Sequence, residues 1–387
     1  MKIAMIGHKR VPSREGGVEV VVEELGTRMV MRNHEVHAYN RKGKHVSGEN
    51  YEIQNLKEYK GIKILPVFTI DKKGLAALSS SVFATIKAIF GKYDVIHFHA
   101  EGPCAMLWLP HFLGIRTVAT IHGLDHQRSK WSNFAKKYIL FGEKVAVKYA
   151  DEIIVLSKNV QKYFKDTYNR ETVFIPNGIT KPENKECNII TKNWDIKKDE
   201  YILYLGRIVP EKGIMDLVDA FKLVKTDKKL VIAGGSSDTD EFMKELKERA
   251  SSDKRIIFTG FVQGETLEEL YSNAYIYTLP STLEGMPISL LEAMSYKNCC
   301  LTSDIKECTE VIKDTGVSFR TSNVKDLKEK LQMLCEDSKT VVEYRTKAFN
   351  RAINDFNWDT VVDQTLELYK KEKYLEVEIE ESVIWKN

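Results

Sequence analysis

The sequence predicts an α/β protein: two Rossmann-like doubly wound parallel-sheet domains facing each other across a cleft. Two observations carry this. Short apolar runs alternate with amphipathic helical patterns along the whole chain, and the alternation breaks once, at the polar stretch 180–199, before it restarts. In the first half, residues 3–6, 35–39, 95–98, 118–121, 153–156 and 173–175 read as strands, each a short apolar run between polar or glycine residues. Residues 18–32, 82–90 and 134–149 carry apolar positions at helical spacing. In the second half the strands are 201–205, 229–232, 256–259, 276–279 and 301–303, with helical patterns at 215–224, 241–250, 267–272 and 287–296. The expected division is 1–180 and 181–359, with 180–199 as linker and a C-terminal helix within 360–387 packing back on the first domain.

Hydrophobic residues at 43% and charged residues at 29% exclude a disordered or collagen-like chain. The net charge of +3 hides an asymmetry: residues 1–180 carry 27 basic and 17 acidic side chains, the remainder 31 and 38. The first half is therefore expected to meet something anionic. Six cysteines at irregular spacing, none in a C-x-x-C, fit reduced thiols better than a disulfide framework or a zinc site. No apolar run approaches the length of about 18 residues that a membrane span needs. Met1 leads directly into a strand-like run, so no secretory leader is expected, and the expected location is cytoplasmic.

Three loops could carry chemistry. After the first strand, Gly7 to Val18 ends in Gly16-Gly17 before a helix, which places free amides at the positive end of a helix dipole, a phosphate-binding arrangement. It is not a dinucleotide fingerprint: G-x-G-x-x-G is absent, and Tyr39-Asn40-Arg41 stands where an acidic residue would end the second strand. After the strand 201–205, Gly206-Arg207 and Lys212-Gly213 offer two cations that suit a diphosphate. The third runs from Ser281 to Ala293, where Gly285 lets backbone approach a ligand and Pro287 suits the first helical position. Glu284 and Glu292 stand on the order of 10 Å apart along this element, the spacing to grip two ends of an extended ligand.

Together, the Gly-Gly loop, G-R-x-x-x-x-K-G and E-G-x-P-x-x-x-x-E-A resemble a GT-B glycosyltransferase of the retaining family 4, over nearly the whole chain. The segments Lys9–Glu19 and His99–Trp108 resemble a bacterial subgroup described as rhamnosyltransferases of surface polysaccharide assembly. The resemblance implies a first domain for the acceptor and a second for a nucleotide-sugar donor. It implies Arg207 and Lys212 on the donor diphosphate, Glu284 on hydroxyls of the donor sugar and Glu292 on the ribose or deoxyribose. Gly285, Met286, Pro287, Ile288, Ser289 and Leu290 would offer amides, Gly260, Phe261 and Val262 would line the base, and Gly16 and Gly17 would approach the phosphates. His122 matches the family's cleft histidine near the donor sugar, with His99 and Glu101 on the acceptor side. The implied reaction is transfer with same-face departure and attack, without a cofactor or a catalytic metal. The acceptor is a glycan, expected on a polyprenyl diphosphate; no nucleic acid is expected.

Three further features compete with these loops. Asp238-Thr239-Asp240 is a D-x-D, but it follows a glycine-serine loop and opens a charged helix, so capping is the simpler reading. All nine histidines fall within the first 126 residues. A metal site on His122 and His126 would require helix through Gly123, with no thiol or carboxylate cluster evident in sequence to complete it. Residues 128–149 mix basic and aromatic side chains as in helices that lie on anionic bilayers. Two other readings stand beside the transferase: a non-catalytic nucleotide-sugar-binding protein, and a transferase using UDP-glucose, UDP-GlcNAc or GDP-mannose in place of a rhamnose donor. An NAD-dependent enzyme is disfavoured by the missing fingerprint.

Overall fold

A computed structural model of the chain describes residues 1–43, 56–70, 72, 75–128, 131–236 and 240–370. The first sheet contains β1 (Lys2–Ile6), β2 (Glu35–Arg41), β3 (Glu58–Tyr59), β4 (Ile62–Val67), β5 (Val95–His99), β6 (Arg116–Ile121), β7 (Glu152–Val155) and β8 (Val173–Phe174). The second contains β9 (Tyr201–Leu205), β10 (Lys229–Ala233), β11 (Ile256–Gly260), β12 (Ile276–Leu279), β13 (Cys299–Ser303) and β14 (Val317–Phe319). In the first half the helices are α1 (Gly17–Met31), α2 (Leu75–Ile89), α3 (Glu101–Cys104), α4 (Trp108–Phe112), α5 (Asn133–Tyr149) and α6 (Lys158–Tyr168). They continue as α7 (Ile189–Trp194), α8 (Ile214–Lys222), α9 (Asp240–Ala250), α10 (Glu265–Asn273), α11 (Ile288–Ser295), α12 (Lys306–Ile312), α13 (Val324–Glu336), α14 (Ser338–Asp355) and α15 (Trp358–Tyr369).

The strand orders are β3-β4-β2-β1-β5-β6-β7-β8 and β11-β10-β9-β12-β13-β14, with every pairing parallel except β3 with β4. Both orders reverse direction beside their first strand, between β1 and β5 and between β9 and β12. In open parallel sheets that switch point is where the carboxyl ends leave a crevice for a ligand. The three loops singled out in the sequence follow β1, β9 and β12, so all leave their sheets at the two switch points.

Packing explains where helix reading from the sequence fell short. The helix read at 82–90 begins at Leu75, because Ser79 and Ser81 hide the pattern; both are buried and bond back to the carbonyls of Leu75 and Ala77. The linker read at 180–199 contains α7, capped by buried Glu269, whose carboxylate accepts the amides of Asn188, Ile189 and Ile190. Ile190 and Ile196 pack in the core of the second sheet.

The chain crosses between the sheets twice, side by side. Gly178 lies against Trp358, where a Cβ would stand 2.6 Å from the Trp358 nitrogen, and the Ile179 amide donates to the Phe356 carbonyl at 2.8 Å. After the second crossing α15 packs on α1 through Val361, Val362 and Leu366, while Arg32 pairs with Asp359 and Asp363. Residues 371–387 lie outside the described residues. Among the described residues no helix is long and apolar enough to cross a membrane.

Candidate active site in the interdomain cleft

A cavity of about 520 Å³ opens between the carboxyl ends of the two sheets. Its second-domain wall depends on a close approach of two loops. Gly213, at φ 64°, ends the turn that carries Lys212, and a Cβ there would stand 2.0 Å from the Pro280 carbonyl oxygen. Only glycine lets this turn lie against the loop after β12. That contact brings Lys212 Nζ to 2.5 Å from Glu284 Oε1, which also accepts the Ser281 hydroxyl at 2.6 Å. Burial by itself would raise the Glu284 carboxyl. The charge and hydrogen bond of Lys212, the Ser281 hydroxyl and the charge of Arg128 instead hold it below the usual carboxylate range. Arg207 lines the cleft with no side-chain ion pair among the described residues. Glu292, in α11, accepts the Tyr271 hydroxyl on Oε2 at 3.0 Å and faces Arg14 of the first domain at 3.5 Å from Oε1. Burial, opposed by Arg14 and Tyr271, raises its pKa.

The first-domain wall is the loop after β1, with Gly17 against the Ile288 side chain, and the segment after β6. His122 lies in that segment, half-buried, with Nε2 3.1 Å from His99 Nδ1. His99 packs in turn on His97, the rings tilted by 30° with centroids 4.2 Å apart, and His97 is held by the Tyr369 hydroxyl at 2.6 Å and Thr120 Oγ1 at 2.7 Å. Burial drives His8 and His122 from 6.5 down to about 4 and His97 to about 3, and pushes His99 well below its ordinary value. His122 therefore enters the cleft uncharged at neutral pH, a hydrogen-bonding group and not a cation.

These histidines predict acid sensitivity. The unfolded chain takes up their protons near pH 6.5, the folded chain only near pH 3 to 4. Their contribution to stability is complete above about pH 6.5 and is lost as pH falls toward about 4, because the unfolded state binds more protons across that window. Urea midpoints should fall between about pH 7 and about pH 5, and His97→Gln should flatten the fall. An unchanged midpoint would contradict the assignment.

Several sequence expectations are corrected by the geometry. Gly285 lines the cavity, but the side on which a Cβ would stand is taken by the other domain, 1.6 Å from the His122 carbonyl oxygen and 3.0 Å from Gly123 Cα. Pro287 is the N-cap, with helix beginning at Ile288, and the Leu290 amide is spent on the Pro287 carbonyl at 3.1 Å while its side chain lies in the core. Gly260 is exposed at the end of β11, outside the cavity lining, whereas Phe261 and Val262 line it with Met286, Ile288 and Ser289. His99 and Glu101 are fully buried behind the wall, not on it. His126 lies in a short turn, Asp125–Gln127, and faces Glu143; Glu101 joins them, a carboxylate cluster that sequence spacing did not reveal. Asp238 and Thr239 fall outside the described residues, and Asp240 opens α9 with the Ser236 hydroxyl on its carboxylate at 2.5 Å.

Sequence reasoning gave no cleft role to two arginines that span it, and it placed Arg128 in the basic segment 128–149 instead. Arg14 reaches Glu292, and Arg128 holds Asp125 at 2.6 Å while approaching Glu211 of the second domain at 3.5 Å. Nothing local marks them, since their partners lie far along the chain. Leu75, Leu78, Trp131, Phe134 and Tyr138 add an apolar wall on the first-domain side.

Comparison with known proteins agrees with this architecture. The family model described as Glycosyltransferase Family 4 matches residues 15–181, and that of Glycosyl transferases group 1 matches 188–352. An uncharacterized glycosyltransferase of Methanocaldococcus jannaschii is 26% identical, over 96% of this chain and 98% of the relative. Sucrose-phosphate synthase from Thermosynechococcus elongatus has the same fold, with a TM-score of 0.80 at 21% identity, over 95% of this chain and 98% of that one. So does HepE of Anabaena in complex with UDP and glucose, with a TM-score of 0.76 at 17% identity over 95% and 98%. The fold is GT-B. The two halves of the chain match glycosyltransferase models in turn, family 4 in the first and group 1 in the second, which supports a glycosyltransferase.

Proposed function

We propose that the protein moves a sugar, with rhamnose the first to test, from a nucleotide-diphosphate donor to a lipid-linked glycan in cell-surface polysaccharide assembly, with retention of configuration. The observation that carries the donor side is the placement of Arg207 and Lys212 at the end of β9, facing the cleft beside the start of α11. A departing nucleoside diphosphate gains negative charge, and fixed cations together with the first amides of a helix stabilise it without reorganisation. UDP in the HepE complex lends support to a donor of this class. In this reading Glu284, held ionised by Lys212, accepts hydroxyls of the donor sugar, and Glu292 takes the ribose once Arg14 yields it. Gly16 and Gly17 approach the phosphates from the other side. Uncharged His122 hydrogen-bonds the sugar, and the leaving phosphate takes the acceptor proton.

A panel of nucleotide sugars tests the donor assignment, since the true donor raises the melting temperature by mass action. Transfer from that donor is expected to persist in excess chelator, because side chains and amides carry the neutralisation. Activity that disappears with chelator and returns with manganese would overturn this part of the reading.

The acceptor side rests on an exposed face of the first domain. Lys137, Phe141, Lys144 and Lys148 are solvent-facing along α5, and Phe134 is 74% exposed. Beside them α4 exposes Phe112, with Leu113 just after it, and α2 exposes Phe83 and Ile86, with Phe90 just beyond it. A basic and aromatic face of this kind suits an anionic bilayer surface that carries a lipid-linked acceptor. Replacing Lys137, Lys144 and Lys148 with Gln is expected to weaken binding to anionic vesicles by up to about 1 kcal/mol per residue at low salt. Co-sedimentation at two salt concentrations measures it. Equal binding to neutral and anionic vesicles would remove the membrane assignment.

A further inference from the structure

Behind the first-domain wall of the cleft, three segments bring metal-ligating atoms to one point. Glu101 opens α3, His126 lies in the turn Asp125–Gln127 and Glu143 lies in α5; one donor atom from each falls within 4.8 Å of the others. Both carboxylates are fully buried, and the His126 side chain is 15% exposed. The approach depends on Gly142, where a Cβ would stand 2.0 Å from the Glu101 carbonyl oxygen, so that only glycine lets α5 lie against α3.

Each carboxylate is half satisfied. Glu101 Oε1 accepts the Asp125 amide at 3.0 Å, and Glu143 Oε1 accepts the hydroxyls of Tyr163 at 2.9 Å and Tyr168 at 2.5 Å. The other oxygens, Glu101 Oε2 and Glu143 Oε2, and His126 Nδ1 have no hydrogen-bond partner among the described residues, in a cluster where one donor atom of each residue lies within 4.8 Å of the others. His126 Nδ1 and Glu143 Oε2 are 3.4 Å apart, an ion-pair distance without hydrogen-bond alignment. That separation matches the edge of about 3.3 Å between two ligands of a tetrahedral ion with bonds of about 2.0–2.1 Å. Two buried carboxylates facing each other need a positive charge or a proton between them. The amide and tyrosine hydroxyls on the outer oxygens are the supporting shell that orients metal ligands.

We propose that Glu101 Oε2, His126 Nδ1 and Glu143 Oε2 bind one divalent transition-metal ion, with water completing its coordination. Two oxygens and an imidazole suit zinc, cobalt or manganese better than magnesium or calcium, which take oxygen alone. The ion is structural. It pins the turn Asp125–Gln127 to α3 and α5 and so fixes the segment from His122 to Arg128 that faces the cleft. Donor chemistry is not routed through it.

The full-length protein, dialysed against chelator, is titrated with cobalt(II), zinc or magnesium. Expected are a visible cobalt absorption saturating at one ion per chain, its displacement by zinc, and a melting temperature raised by several degrees with zinc and not with magnesium. Glu101→Gln and His126→Gln, with folding confirmed by circular dichroism, should each lose the cobalt band and the zinc-dependent rise. A wild-type protein with neither band nor rise would overturn the proposal, as would an equal rise in both variants. A melting temperature that responds to pH and not to metal would also overturn it, leaving a shared proton between Glu101 and Glu143. None of these outcomes bears on the donor assignment, which the nucleotide-sugar panel tests separately.

Discussion

Lys212→Ala is expected to abolish most donor use and to destabilise the protein as well, whereas Arg207→Ala should cost activity alone. The two cations share a loop but not an environment. Arg207 faces the cleft without a side-chain ion pair among the described residues, so its loss removes a charge-assisted contact made only to ligand. Such a contact is worth about 1.5–3 kcal/mol, roughly ten- to a hundredfold in kcat/KM. Lys212 is buried against Glu284, and its removal leaves a buried carboxylate with only Ser281, among the described residues, in hydrogen-bond contact. Breaking a buried pair by taking one partner costs about 3–5 kcal/mol of stability. Adding Glu284→Gln to Lys212→Met should restore much of that stability and none of the activity. Urea unfolding and initial rates separate the two effects. Unchanged rates in both single variants would remove the diphosphate assignment.

Gly285→Ala is expected to lower transfer by about a hundredfold or more, the penalty for displacing reacting groups by about 1 Å. A methyl group at this position would sit 1.6 Å from the His122 carbonyl oxygen, across the interface between the two sheets. The backbone there cannot give way on one side alone, since Gly123 is itself held at φ 143° with Gly285 against it. The domains should therefore stop short of closure while each keeps its own core. Small-angle scattering would read a larger radius of gyration, and single-turnover kinetics the slower chemistry. Wild-type dimensions together with wild-type rates would show that the contact is dispensable.

Eleven of the fourteen described strands were legible in the sequence because each is a short apolar run whose burial needs no knowledge of its neighbours, whereas β3, β4 and β14, in which exposed positions interrupt the run, were not read. Tyr201–Leu205, Ile276–Leu279 and Val95–His99 all fall where the apolar pattern put them, apart from a terminal residue. Helix ends were less legible. The start of α2 is masked by serines that satisfy their hydroxyls on the preceding turn, and the start of α11 is shifted because Pro287 caps the helix instead of entering it. The charged motif residues Arg207, Lys212, Glu284 and Glu292 all line the cleft, and they stood out in the sequence because they lie in loops that leave strand ends or in the helix that follows one, a local feature.

What the sequence determined by itself is local: which segments are strands, which loops leave strand ends, and which of them carry cations, carboxylates and glycines. What only the tertiary structure decided is partnership across distance. Lys212 meets Glu284 because Gly213 lets two loops touch, and Arg14 and Arg128 reach carboxylates of the opposite domain. Glu101, His126 and Glu143 converge because Gly142 lets a helix press on a backbone carbonyl. The physical reason is common to all of them. Hydrophobic periodicity is set by neighbours a few residues away, but the pairing of buried charges depends on where separate chain segments are packed, and no local pattern encodes that.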